Sequence, residues 1–145
     1  MYGTSAVAAQ RLAVGLTILR VIVGILFIAH GAQKLFVFGL GGVIGMFGQM
    51  HVPLPAISAP LVAFVELLGG VALVIGLFTR IAAILLGCDM LGAILFVHGR
   101  NGLFLPNGYE YALTLLAVNV ALVISGPGAY AIDDRLWSFR RPVTV

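Results

Sequence analysis

Four long apolar stretches, Leu12 to Gln33, Ile57 to Phe78, Ile81 to His98 and Tyr109 to Gly126, dominate the chain and leave few folds open to it. At ~1.5 Å of rise per residue, each forms a helix of roughly 27 to 33 Å, which can cross a hydrocarbon layer about 30 Å thick, the last two only just. Helices are predicted over strands because lipid offers no water to backbone groups. A few strands unable to close a barrel would leave unpaired edges there. The expected fold is all-α: an integral membrane four-helix bundle forming a single domain over residues 1–145.

Composition supports this reading. Charged residues are 9% of the chain and hydrophobic residues 61%, with a mean hydropathy of +1.15, whereas soluble domains carry roughly 25% charged residues. The spans and their connections take up nearly all of the 145 residues, so any chemistry is expected in the bundle or on a partner. The net charge of +3 does not point to nucleic acid, because the Lys and Arg residues form no run with interleaved aromatics. The single cysteine, Cys88, has no intrachain partner and reads as a small apolar residue. No Lys or Arg precedes Arg11 and no clear cleavage site follows the first apolar run, so that run is expected to be a retained helix.

Helix breakers fall between the spans. Pro53, Pro55 and Pro60 introduce the second, with Ser58 as a candidate cap; Thr79 and Arg80 make a minimal turn; Pro106, Asn107 and Gly108 precede the fourth. Within the first connection, Val43, Met46, Phe47 and Met50 follow helical spacing, which predicts a short interfacial helix. One face collects Arg11, Arg80, Arg135, Arg140 and Arg141, against Lys34 and Arg100 on the other. The positive-inside rule then places both termini in the cytoplasm, with Tyr130, Trp137 and Phe139 as interfacial residues. A faint internal echo pairs Ile25-Leu26-Phe27 and His30-Gly31 with Ile94-Leu95-Phe96 and His98-Gly99. A glutamate follows on the next helix in each half, Glu66 or Glu110.

An ionisable side chain at the centre of a membrane helix costs roughly 2.5 to 3.5 kcal/mol, so each one is a candidate for function. On the first helix, Arg20, Phe27, His30 and Lys34 share an arc of roughly 80° at 100° per residue, which predicts a polar stripe facing the bundle interior. Arg20 and Asp89 lie at comparable depth, and their opposite charges suggest a buried ion pair, which can serve helix register as readily as function. Glu66 is expected near mid-membrane facing inward, paired with Lys34 or Arg100, with Gly69, Gly70 and Gly76 allowing a close neighbouring helix.

The candidate ligand-binding set is His30, Lys34, Glu66, His98, Arg100 and Glu110, an outward-opening polar pocket joined by Gln33, Asn101 and Tyr109. The same residues also suit an interfacial belt of snorkelling side chains. Two histidines on different helices can ligate a haem, but nothing further marks a haem site, and neither haem nor a bound metal is expected. No dithiol, phosphate-loop or nucleophile-elbow motif is present.

Together these residues resemble the DoxX family of small membrane proteins. The resemblance rests on His30-Gly31 with Lys34, then Glu66-Leu67-Leu68-Gly69-Gly70 leading through Gly76-Leu77-Phe78-Thr79-Arg80. It continues in His98-Gly99-Arg100-Asn101-Gly102 before Tyr109-Glu110, and closes with Gly126-Pro127-Gly128 and Ile132-Asp133. It implies a four-helix bundle in the bacterial cytoplasmic membrane, associated with quinol oxidase or thiosulfate:quinone oxidoreductase systems and with complexes that handle oxidative stress.

The resulting functional expectation is a membrane subunit or accessory protein of a quinone-linked oxidoreductase system. Lys34, His30 or Arg100 would donate hydrogen bonds to ring carbonyls, Glu66 or Glu110 would relay a proton, and Phe27 and Phe96 would flank the ring. The expected partners are the lipid bilayer, other membrane or peripheral oxidoreductase subunits, and a second copy of the chain. Two rival readings are a small transporter of lipids or other small molecules, with Arg20, Asp89 and Glu66 lining an occluded path, and a non-catalytic assembly scaffold docking through its glycine-rich helices.

Overall fold

Because lipid cannot satisfy a broken backbone, the chain keeps its hydrogen bonds local, and a computed structural model, which describes residues 3–138, is helical nearly throughout. Helix α1 spans Gly3–Ala32 and runs on through a π-helical turn, Gln33–Phe38. At Gly39 the backbone takes φ +67° and the chain turns into α2, Gly39–Gln49. Helix α3 spans Pro55–Ile75, α4 Thr79–Gly92, α5 Glu110–Ser125 and α6 Ile132–Ser138. A second π turn, Ala93–His98, extends α4 into the 3-10 turn Gly99–Asn101. The residues Phe139, Arg140 and Arg141 of the expected interfacial tail lie outside the described residues.

Three helical stretches, Ala6–Gln49, Pro55–Ile75 and Thr79–Asn101, are long and apolar enough to cross a membrane, and Glu110–Ser125 is a shorter apolar helix. In the bundle α1 packs on α3, α3 on α4 and α4 on α5, while α1 touches α5 to close the ring. The two principal contacts, α1 with α3 and α4 with α5, are helical hairpins. Large apolar side chains cover the outside, among them Phe36, Ile57, Leu68, Leu95 and Ile124, as expected of a surface that faces acyl chains. The expected short helix is present as α2, and it buries Val43 while packing on α3.

Small residues let α1 and α3 approach closely. A Cβ on Gly24 would lie 2.8 Å from the Gly70 carbonyl oxygen, and one on Gly31 would lie 2.5 Å from the Leu67 nitrogen. Since lipid tails are as apolar as the helices, this close packing supplies attraction that hydrophobicity does not. Helix α3 ends at Gly76 rather than reaching Phe78, because the glycine adopts φ +71° and the Leu77 N–H turns back to the Ala72 carbonyl. Ser58 does not cap α3: Leu54 holds that position, and the Ser58 hydroxyl donates back to the Pro53 and Leu54 carbonyls.

The internal echo exists in a different register from the sequence reading. Both π turns contain Leu-Phe-Val, residues 35–37 and 95–97, and each is followed by a glycine, Gly39 or Gly99. Phe27 is buried within regular α1, while Phe96 is 45% exposed on the second π turn, so these two phenylalanines are not equivalent. Glu66 and Glu110 are not equivalent either: one sits mid-helix in α3 and the other opens α5.

Candidate functional site

The stripe on α1 does face the interior: Arg20 and Phe27 are buried and His30 and Lys34 half-buried. Its polar members separate into two clusters, because Arg20 and Lys34 are fourteen residues apart on one helix, which is ~21 Å along its axis.

The first cluster lies at mid-bundle. Lys34 Nζ donates to Glu66 Oε2 in a partly buried ion pair between the first π turn and α3. Glu66 is only 4% exposed, and the pair compensates two charges that neither lipid nor the apolar core would tolerate singly. Asp89 of α4 lies within electrostatic reach of both Glu66 and Lys34. Close contact between Gly69 and Leu86 sets this register, since moving one turn along the antiparallel helices from that contact brings residue 66 level with residue 89. On α5, Tyr111 joins the cluster from its exposed edge, with its hydroxyl 3.4 Å from His30 Nε2 and the two rings 5.9 Å apart. All four helices of the bundle therefore contribute to one polar centre.

The second cluster closes the other end of the bundle. Arg20 Nη1 donates to the Pro127 carbonyl at 3.0 Å, and the guanidinium is within electrostatic reach of Asp133 and Asp134. The segment after α5 straps across this end. Ala129 N–H donates to the Ala13 carbonyl, and the Thr17 hydroxyl donates to Ala129 and Ala13 carbonyls at 2.6 and 2.9 Å. Asp133 accepts from Phe78 N–H and Thr79 N–H at 2.7 and 2.8 Å, capping α4 from a distant part of the chain. In return, Asp133 N–H donates to the Gly76 carbonyl.

The expected Arg20 and Asp89 ion pair is therefore absent. Matching depth along two helices did not determine which neighbour each met: Arg20 turns to the strap and Asp89 to Glu66. The six-residue outward-opening pocket also divides. His30, Lys34 and Glu66 gather at mid-bundle. His98 Nδ1 lies 3.1 Å from the Asn107 carbonyl, to which Asn101 also donates, and Glu110 Oε1 accepts from Leu105 N–H at 2.8 Å. These three side chains hold the connection between the second π turn and α5. Arg100 is exposed on the 3-10 turn, outside the central cluster. Tyr111 was missed because it reads as an ordinary apolar helix residue; its placement one residue after Glu110, near the start of α5, was the available clue. Among the described residues no group of three or more His, Cys, Asp and Glu is arranged to hold a metal ion.

The DoxX family model matches residues 15–99, which hold α1 from Gly15 onward, both π turns, α2, α3 and α4. The chain belongs to the DoxX family. The chain is 37% identical to the putative oxidoreductase CatD of Bacillus subtilis, over 83% of this chain and 85% of that protein. It is 36% identical to the inner membrane protein YqjF of Escherichia coli, over 85% of this chain and 92% of that protein. A second Escherichia coli protein, the inner membrane protein YphA, is 27% identical over 83% of this chain and 89% of its own length. No solved structure matches the chain. The family match includes Arg20, His30, Lys34, Glu66 and Asp89, whereas Tyr111 and the strap lie beyond residue 99.

Proposed function

We propose that this DoxX protein is a membrane component of a quinone-linked oxidoreductase system and that its central polar cluster receives the head group of a quinone-like molecule. The reading rests on the Lys34 and Glu66 pair, whose carboxylate is buried, with His30 and the more exposed Tyr111 beside it and apolar helices around it. A quinone ring offers two carbonyl acceptors and an apolar face. Lys34 and the Tyr111 hydroxyl are donors suited to those carbonyls, His30 orients the hydroxyl, and Glu66 keeps Lys34 charged and pointed inward. The name of the Bacillus subtilis relative, a putative oxidoreductase, supports the redox association. Its site in the bacterial inner membrane, with both ends of the chain cytoplasmic and with other oxidoreductase subunits or a second copy as partner, belongs to the same proposal.

Purification in mild detergent, a visible spectrum and mass spectrometry of extracted small molecules test it. A quinone should accompany the wild-type chain and be lost from a Lys34→Met and Tyr111→Phe double variant that stays folded. A folded wild-type chain with no quinone and no chromophore rules the reading out.

A further inference from the structure

At mid-bundle the charges do not cancel. Lys34, on the first π turn, neutralises Glu66 of α3, but the register set where Gly69 meets Leu86 brings a second carboxyl, Asp89 of α4, level with Glu66. The remaining titratable neighbours offer it no fixed cation. His30 of α1 turns to Tyr111 of α5, and Arg20 is engaged with Pro127 near the opposite end. Asp89 Oδ2 is buried and has no hydrogen-bond partner, although an ionised carboxylate offers about four acceptor sites. Two anions and one cation in a medium of low dielectric would leave an uncompensated charge. A proton on one of the carboxyls restores neutrality, and Asp89, the one without a cation partner, is the carboxyl to carry it.

We infer that the polar core binds one exchangeable proton, carried by Asp89, so that Asp89 is a neutral acid while the Lys34 and Glu66 pair is intact. This assigns the proton-carrying role to a residue outside the set that sequence singled out for it, Glu66 and Glu110. It rests on the geometry of the three charged groups and not on the quinone reading.

Infrared spectroscopy of the purified chain tests this directly, since the C=O stretch of a carboxylic acid is separate from the stretches of a carboxylate. At neutral pH the wild-type chain should show an acid band that weakens as pH rises and is missing from Asp89→Asn. Lys34→Met, which leaves Glu66 without its cation, should add acid intensity that Asp89→Asn does not remove. If Asp89→Asn does not fold, wild-type protein carrying carbon-13 aspartate gives the same assignment. The other aspartates are Asp133, a carboxylate capping α4, and exposed Asp134, so an acid band that shifts with the label belongs to Asp89. Carboxylate bands alone at neutral pH, or an acid band unmoved by both the label and Asp89→Asn, would overturn the inference. Quinone extraction is read separately, so an acid band in a chain without quinone sinks only the ligand reading.

Discussion

Lys34 and Glu66 illustrate how a membrane chain retains charge at its centre: each is tolerable only because the other is there. Lys34→Met is expected to destabilise the bundle by about 3 to 5 kcal/mol, the usual cost of leaving one buried charge without its partner. Adding Glu66→Leu to that variant should recover most of the loss. Thermal unfolding in detergent compares the two, and a double variant as unstable as the single one would show that the pair's packing, not its charge balance, carries the stability. Arg20 follows the same rule by a different route, with a backbone carbonyl and two nearby aspartates in place of one ion-pair partner. The inward stripe on α1 was legible because helical periodicity is fixed by backbone geometry. Which partner each stripe residue meets was not, because that depends on the register between helices.

At the scale of elements, glycines determine where helices end and how near they come. Gly76 has φ +71°, and a Cβ there would overlap the Arg20 guanidinium and come within 2.7 Å of Ala131. Gly76→Ala is therefore expected to cost more than about 1 kcal/mol, the backbone contribution alone, and to loosen the strap. Protease sensitivity around residues 126–132 would report that loosening, and unchanged resistance would argue against the strap as the element that holds this end. Asp133→Ala removes the acceptor for Phe78 and Thr79 N–H, with an expected loss of about 1 kcal/mol on the unfolding curve. Gly70 is buried against Gly24 and Ile28 of the same chain. Gly70→Leu should therefore disrupt folding of the monomer, seen as aggregation on size exclusion, and it cannot serve to test docking of a partner through that face.

For the molecule as a whole, the N-terminal part of α1 and the strap after α5 are hydrogen bonded together, so both emerge at one end of the bundle. Reporter fusions at the two ends should give the same sidedness, and cytoplasmic reporters should be the active ones if the excess of arginine there sets orientation. Opposite sidedness would contradict the packing of Ala129 on Ala13. The two hairpins, each carrying a π turn with Leu-Phe-Val, give the bundle an approximate internal repeat. The central polar cluster does not obey it: Lys34 lies on the first π turn, and the corresponding place on the second holds Ile94.

The sequence by itself determined that this chain is an all-α membrane bundle of the DoxX type and that one face of its first helix is polar. Length, hydropathy and periodicity are local properties, and lipid removes the alternatives to a helix. Only the tertiary structure decided that Arg20 belongs to the strap, that Asp89 meets Glu66, that Tyr111 joins the site, and that His98 and Glu110 serve a connection. Those assignments turn on the rotation and offset of one helix against another, which depend on the close fit at residues such as Gly31, Gly69 and Gly70 and leave no periodic signal in the chain.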